Sequence, residues 1–279
     1  MFFWKRSADP KAELRSLIGD YELPSFPAVA MSTLSLIREN ADMAEVAASL
    51  MSDPGLTVRI LRTVNSAAFG MRKRVSNLQY ATSLLGRSRV ESLVLTAAVG
   101  SALPDPGVID LGRFWSTSAR RACLASRIAA RVDPSSQVES FTAGLLQDMG
   151  VPVLAATHGD RYAALWKRSE SDDEVSLHEL EEEAFGYDHA HVGAVLAETW
   201  DLPETLITAI SDHHAAGQRA PRAVEAVAHV CHREPPDELD ALRDHCRSAL
   251  ELHAEELDPI IESASLASVS LAESIAPAD

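Results

Sequence analysis

Residues 78–103, LQYATSLLGRSRVESLVLTAAVGSAL, decide the fold class of this chain. Apolar residues recur at three- and four-residue spacing on both sides of Gly86, a pattern typical of helices with one buried face. Before the glycine these positions are Leu78, Ala81, Leu84 and Leu85, and after it they are Val90, Leu93, Val94, Ala97 and Ala98. The segment predicts a helix, a tight turn at Gly86 and a second helix. Alanine-rich stretches without strand-like alternation elsewhere extend this prediction to an all-α protein.

The composition excludes several classes of protein. The chain has 279 residues, of which 46% are hydrophobic, and this rules out both a disordered chain and a small disulfide-stapled scaffold. Its 25 Lys and Arg against 41 Asp and Glu give a formal net charge of −16. The helix that follows Gly86 carries only Glu91 as a charged residue beyond Arg89, so it offers few side chains to DNA bases. We therefore expect no direct contact with nucleic acid.

The cysteines and the lengths of the apolar runs indicate the cellular compartment of the protein. The three cysteines, Cys123, Cys231 and Cys246, contain no CxxC pair, and the apolar start at Met1–Trp4 is too short for a signal peptide. The longest nearly uncharged run, Ser92–Leu103, is well short of the roughly 20 residues that span a bilayer. These features predict a cytoplasmic protein with no membrane segment.

Prolines and glycines divide the chain into parts. Pro104, Pro106 and Gly107 make the clearest break in composition. The predicted parts are a lead-in at 1–20, a first lobe at 21–105, a second lobe at 111–215 and a helical extension at 216–279. The extension is expected to be punctuated by Pro221, Pro235-Pro236 and Pro259, and to fray over Ser263–Asp279.

Helical spacing continues through the second lobe. Helices are predicted at Trp115–Ala130, Val138–Ala155, Tyr162–Arg168, Leu177–Ala184, His189–Trp200 and Pro203–His213. Phe114, Trp115 and Trp200 are expected to anchor these helices in the core.

Charge is segregated along the chain. No acidic residue occurs between Asp53 and Glu91, whereas Glu170–Glu183 contains no Lys or Arg. The basic residues of the first segment are Arg59, Arg62, Arg72, Lys73, Arg74, Arg87 and Arg89. Two interpretations stay open. The segment is either a set of solvated amphipathic helix faces or a docking surface for an acidic partner or phosphate, centred on Met71–Arg74.

Histidine and aspartate residues cluster in the second lobe and its extension. They occur at Gln147-Asp148, Asp188–His191, Asp212–His214 and His229–His232. Imidazole and carboxylate side chains on adjacent helices can hold a divalent metal that acidifies its bound water. Asp188 and Asp212 are expected to cap helices instead. The Cys and His residues of the extension match no standard zinc spacing, so we predict no zinc site there.

The order of several motifs resembles the HDOD domain, the HD-related output domain of bacterial signalling proteins. The resemblance covers residues 21 to about 215. It is carried by Leu23–Pro27, Asp53–Thr57, Asn65–Gly70, Val75–Ala81 with Leu84–Gly86, Phe114-Trp115, Gly144–Gly150, Phe185–His189 with Val192–Ala194, Trp200–Pro203 and His213-His214. It implies a two-lobed all-helical fold whose second lobe is similar to HD phosphohydrolases.

The resemblance also implies a metal-ligand set that this chain does not complete. Thr117 lies where the first ligand histidine is expected, and Gln147 stands before Asp148 where the family pattern is His-Asp. The remaining members are Asp148, His189, His213 and His214, while His232 falls near the expected late aspartate. Neither threonine nor glutamine is a strong metal ligand. We therefore expect a relic polar pocket, with no catalytic metal and no cofactor.

The sequence predicts a non-catalytic HDOD signalling module that binds other proteins. By resemblance, the partner is a response regulator or an enzyme of cyclic-dinucleotide signalling. Two alternatives stay open: a metal-dependent phosphohydrolase or phosphodiesterase acting on nucleotides, and a pocket that senses a nucleotide without turnover.

Overall fold

The structure is a computed structural model that describes residues 9–19, 21–22, 25–172, 175–215, 220–230 and 239–276. Within these ranges the regular structure is helical, with no β-strand, and the all-α prediction is confirmed. In chain order the helices are α1 (Pro10–Ile18), α2 (Ala28–Arg38), α3 (Met43–Met51), α4 (Pro54–Val64), α5 (Leu78–Leu85), α6 (Arg87–Ala102), α7 (Leu111–Val132), α8 (Gln137–Leu146), α9 (Gly150–His158), α10 (Asp160–Ser171), α11 (Leu177–Phe185), α12 (His189–Thr199), α13 (Glu204–Ser211), α14 (Arg222–Val227), α15 (Asp240–Ala249) and α16 (Ala254–Ile275).

Polar side chains start the helices of the first lobe. Asp42, Asp53 and Asn77 accept hydrogen bonds from backbone amides in the first turns of α3, α4 and α5, at 3.0, 3.0 and 3.1 Å. These amides have no partner within the helix itself. Gly86 turns the chain between α5 and α6 with φ of 74°, a left-handed value that costs glycine little. The helix, turn and helix predicted for residues 78–103 is confirmed, and most of α6 is buried in the core.

The second lobe is built around α7, which packs on α8, α14 and α16. Phe114 and Trp115, in its first turn, are buried, as is Trp200, which contacts Phe26 of the first lobe at 5.2 Å between ring centroids. The three aromatic anchors are therefore confirmed. Buried apolar residues of the two lobes belong to one contiguous core.

The prediction of one helix over Val138–Ala155 is wrong. The helix stops at Leu146, a turn follows, and α9 begins at Gly150. A close contact accounts for this break. A Cβ on Gly150 would lie 2.2 Å from the backbone oxygen of His189 and 2.9 Å from the nitrogen of Gly193, so only glycine lets α9 approach α12 this closely. The turn directs Gln147 and Asp148 into the interior, where both are buried.

The expectation that Ser263–Asp279 frays is also wrong for the part that the structure describes. Helix α16 continues to Ile275 and packs on α7, α4 and the 3₁₀ turn at Ala67–Phe69. Its serines bond to their own helix, as when Ser274 donates to the carbonyl oxygen of Leu271 at 2.7 Å. Pro259 lies inside α16 on its exposed side and does not end the helix.

Helix α1, in the predicted lead-in, packs against α12. Leu14 and Ile18 join the core, Tyr187 donates its hydroxyl hydrogen bond to the carbonyl of Leu17, and Glu13 lies 2.9 Å from Nε2 of His191. The described part of the lead-in is thus integrated with the second lobe. None of the described helices is both long enough and apolar enough to cross a membrane.

Candidate functional site: a buried histidine and carboxylate cluster

The fold brings together the residues that the sequence singled out. Asp148 comes from the turn between α8 and α9, His189 opens α12, and His213 and His214 follow the end of α13. Asp148, His189 and His213 have exposed fractions of only 2%, 2% and 3%. The cluster is therefore inside the second lobe, so every polar atom in it needs a partner from the protein itself.

Asp148 pairs with a cation that sequence reasoning missed. The guanidinium of Arg121, on α7, contacts Oδ2 of Asp148 through Nη1 and donates from Nε and Nη2 to the carbonyl oxygen of Val230. Both side chains are buried. Arg121 lies one helical turn from Thr117, where the family pattern places a ligand histidine. Helix α7 carries five arginines, and its sequence does not mark which of them is buried against a carboxylate.

Two imidazoles face the other oxygen of Asp148. Nε2 of His213 lies 3.3 Å from Oδ1, and Nε2 of His189 lies 3.7 Å from the same atom. His213 is oriented by its Nδ1, which donates to the carbonyl oxygen of Ile210 at 2.7 Å. Asp148 is thus enclosed by one guanidinium and two histidine rings.

Glu181 is the second carboxylate of the cluster, and it lies in the acidic run at Glu170–Glu183. It is fully buried, accepts from the backbone amide of His189 at 2.8 Å, and lies 2.6 Å from Nδ1 of the same histidine. The hydroxyl of Tyr162 donates to its other oxygen. Burial and the adjacent carboxylate raise the pKa of Tyr162 well above its ordinary value, which keeps this hydroxyl a donor.

Histidine pKa values in the cluster are shifted in opposite directions. Burial is the largest single influence and lowers the pKa of His189, but the charge and hydrogen bond of Glu181, with the charges of Asp148 and Asp188, together raise it to about 9. Burial, with His213 and His189 nearby, holds the pKa of His214 well below its ordinary value. Nε2 of His214 lies 2.9 Å from Nε2 of His189. At neutral pH, protonated His189 therefore donates to neutral His214.

His178, on α11, covers the outer side of the cluster. Its ring stacks on that of His214 with centroids 4.0 Å apart. Burial, and to a lesser degree His189, lowers the pKa of His178. His178 therefore adds ring contact but no charge at neutral pH.

Gln147 and Thr117 occupy the positions of absent ligands. Gln147 is completely buried, and within the described residues neither its amide nitrogen nor its amide oxygen has a hydrogen-bond partner. Thr117 is buried on α7.

Asp188 caps α12 by accepting from the amide of His191 at 2.8 Å, as expected. Asp212 also caps a helix, at the C-terminal end of α13, where its backbone amide donates to the carbonyl oxygen of Thr208 at 3.0 Å and its side chain accepts from Ser211.

The residues fit a metal on one side only. His189, His213 and His214 offer nitrogen atoms within 4.8 Å of one another, a spacing that suits one cation. The carboxylate side does not fit, because Arg121 already neutralises Asp148. The donor set therefore does not match the carboxylate-bridged metal of an HD phosphohydrolase.

The candidate residues of the extension are only partly described. His232 and Cys231 lie outside the described residues. Nε2 of His229 is 3.1 Å from Nδ1 of His245, and Cys246 is buried, with its thiol pKa raised by burial to about 11. A thiol with this pKa stays protonated at neutral pH and is a poor metal ligand.

The basic residues of the first lobe divide into two groups. Arg59 and Arg62 donate to the carbonyl oxygens of Ile275 and Glu273 in α16, and Arg87 donates to those of Ile37 and Ala41. Three of the seven basic residues therefore have structural contacts. The others, Arg72, Lys73, Arg74 and Arg89, are exposed.

Comparison with known proteins identifies the family of this chain. A family model described as the HDOD domain matches residues 23–216. The chain belongs to the HDOD family. A curated relative, an uncharacterized protein of Treponema pallidum, is 27% identical over 196 residues, which is 69% of this chain and 38% of the relative. The chain therefore spans well under half the length of that relative.

Solved structures show the same fold. An HDOD domain protein of unknown function from Geobacter sulfurreducens is 21% identical, with a TM-score of 0.70 and 95% of each chain covered. A Shewanella amazonensis protein, provisionally named a phosphohydrolase, is 25% identical, with a TM-score of 0.70, and the match covers 95% of this chain and 98% of that one. A Marinobacter aquaeolei protein, provisionally named in signal transduction, is 21% identical, with a TM-score of 0.73 and coverage of 95% and 65%.

Proposed function

We propose that this HDOD protein is a non-catalytic regulatory module that acts by binding other proteins of a bacterial signalling pathway. The observation that carries the proposal is the buried pair of Arg121 and Asp148. In an HD phosphohydrolase the carboxylate at this position holds metal, whereas here a guanidinium neutralises it. The cluster is thus an internal polar network that supports the fold.

The domain division follows from the same proposal. Residues 21–215 form the HDOD domain, with lobes at 21–105 and 111–215, and the family match at 23–216 supports this division. Helix α16 of the extension at 216–279 packs on α4 of the first lobe and α7 of the second. Buried free thiols at Cys123 and Cys246 support a reducing, cytoplasmic location.

The partner surface is the exposed basic loop of the first lobe. Arg72, Lys73 and Arg74 project from a protein whose formal net charge is −16, so they create a local field of opposite sign. Such a field steers an acidic protein surface toward the loop. Response regulators and cyclic-dinucleotide enzymes are the partner classes that the family resemblance favours.

Charge reversal tests this surface. A pulldown with Arg72→Glu, Lys73→Glu and Arg74→Glu combined should lose the partners that wild type retains, and retention by wild type should weaken with salt. A matched control reverses three exposed cations elsewhere: Lys167, Arg168 and Arg247. An unchanged partner set with unchanged salt dependence in the loop variant would refute the docking surface.

Metal analysis tests the non-catalytic assignment. Purified protein should carry less than one equivalent of Fe, Mn, Zn and Mg together and should not hydrolyse a panel of nucleotides and cyclic dinucleotides. Stoichiometric metal with turnover that Asp148→Ala abolishes would overturn the proposal.

A metal-dependent hydrolase is the second candidate, and the three-histidine cluster is the observation that favours it. The name of the Shewanella protein points the same way. A third candidate, nucleotide sensing without turnover, predicts a thermal shift with a nucleotide that His213→Ala removes. No shift across a broad nucleotide panel would exclude it.

A further inference from the structure

A groove lies between α4, the loop at 70–77 and α16. Its volume is about 720 Å³, which lies within the range of small-molecule sites. None of its lining residues belongs to the histidine cluster of the second lobe. The groove is therefore a separate feature of the molecule.

The groove is positively charged. Its lining contains Arg62, Lys73 and Arg74 against one carboxylate, Glu273, which leaves a formal excess of cations. Arg62 uses Nη2 to donate to the carbonyl oxygen of Glu273 at 2.8 Å, and its other N–H groups remain for a ligand. Lys73 and Arg74 are exposed at the groove edge. Such a lining favours an anion.

A buried hydroxyl also lines the groove. Ser66 is only 4% exposed, and its Oγ has no hydrogen-bond partner among the described residues. The serine follows the end of α4, where its backbone amide donates to the carbonyl oxygen of Thr63 at 3.0 Å. Buried hydroxyls normally have a partner, so this one indicates a ligand acceptor atom.

Side-chain hydrogen bonds hold the walls of the groove in place. The amide of Asn65 donates to the carbonyl oxygen of Val75 at 2.8 Å and accepts from the nitrogen of Val75 at 2.7 Å, which ties the loop to α4. Ser270 on α16 accepts from the amide of Ala67 at 2.9 Å. A preformed site loses less entropy when a ligand binds.

The remaining lining is largely apolar. Val58, Leu61, Met71 and Val75 offer a surface for the body of a ligand. An inorganic anion would leave this surface unused, whereas an ester with an apolar or aromatic group would cover it.

We propose that this groove binds a small phosphate ester, with its phosphate against Lys73, Arg74 and Ser66 and its apolar body against Val58 and Leu61. Phosphate suits the site better than carboxylate, because the three terminal oxygens of a phosphate ester can accept from Lys73, Arg74 and Ser66 together. The groove shares Lys73 and Arg74 with the proposed partner surface, but its binding is measured on the purified chain without a partner, so either proposal can fail while the other holds.

Isothermal titration calorimetry with phenyl phosphate on the full chain tests the proposal. Lys73→Gln combined with Arg74→Gln should weaken binding at least tenfold, and Ser66→Ala should weaken it about fivefold. Arg72→Gln is the matched control, because Arg72 is an exposed neighbour that does not line the groove, and its affinity should stay within about twofold of wild type.

Two further probes define the ligand class. Inorganic phosphate and benzoate should each bind at least about tenfold more weakly than phenyl phosphate, because each lacks one half of the recognised chemistry. Equal binding of inorganic phosphate would refute the apolar subsite, and equal binding of benzoate would refute the phosphate assignment. No binding of phenyl phosphate to wild type, or equal loss in Arg72→Gln, would overturn the site altogether.

Discussion

Replacing the carboxylate of Glu181 by an amide tests whether His189 carries a proton in the folded protein. Glu181→Gln keeps the size of the side chain but removes the charge that lies 2.6 Å from Nδ1 of His189. Burial alone lowers the pKa of His189, and Glu181 is the largest influence that raises it. In the variant only Asp148 and Asp188 still raise it, and we therefore expect this pKa to fall toward its ordinary value of 6.5.

The magnitude follows from the pKa of the wild type. The pKa of His189 rises from 6.5 to about 9. A rise of roughly 2.5 in pKa at about 1.4 kcal/mol each corresponds to roughly 3–4 kcal/mol of unfolding free energy. Because the folded-state pKa is the higher one, this contribution is complete below pH 6.5 and is lost as the pH rises through about 9.

Urea unfolding at two pH values measures the effect. Glu181→Gln should lose roughly 3–4 kcal/mol of unfolding free energy at pH 6 and clearly less at pH 9.5, where His189 is mostly neutral in wild type and neutral in the variant. Glu182→Gln, which changes the exposed neighbouring carboxylate, should change stability by less than about 0.5 kcal/mol. NMR titration should place the His189 midpoint near 9 in wild type. A midpoint that Glu181→Gln leaves unchanged, or an equal loss of stability at both pH values, would refute the reasoning.

Three further predictions address the core of the second lobe. Arg121→Met removes the cation that neutralises buried Asp148, so urea unfolding should show a loss of about 3–5 kcal/mol, and adding Asp148→Asn should restore at least half of it. Gly150→Ala places a Cβ 2.2 Å from the backbone oxygen of His189, so differential scanning fluorimetry should show a melting temperature lower by roughly 6–12 °C. Burial raises the pKa of Cys123 to about 11, so pulsed alkylation at pH 8 with mass spectrometry should label it far more slowly in the folded than in the unfolded protein.

Each of these predictions has a contradicting result. A double variant no more stable than Arg121→Met would show that charge neutralisation is not what Arg121 provides. A Gly150→Ala protein that melts within about 2 °C of wild type would refute the close approach of α9 and α12. Labelling of Cys123 at the same rate in folded and unfolded protein would contradict its burial.

Much of the architecture could be predicted from periodicity and capping. Asp53 and Gly86 start and separate helices as expected, because these signals act within a few residues. The break at Gln147–Met149 could not be predicted, since it depends on the contact of Gly150 with α12, some forty residues later. The extension was expected to be helical, but the continuation of α16 from Ser263 to Ile275 could not be predicted, because this serine-rich helix is stabilised by packing on α7.

The site shows the same limit. Family motifs identified Asp148, His189, His213 and His214, and the structure brings all four together. Arg121 and Glu181 could not be found in this way, because nothing in their local sequence marks an arginine or a glutamate that will become fully buried. Both are recognisable only from the groups that surround them, which come from distant parts of the chain.

The contacts of α16 have a consequence for the order in which the protein is synthesised. Arg59 donates to the carbonyl oxygen of Ile275 at 3.2 Å, across a separation of 216 residues. During translation, the face of α4 that meets α16 stays exposed to solvent until residue 275 has emerged from the ribosome. The first lobe therefore completes this contact only at the end of synthesis, after the rest of its core has formed.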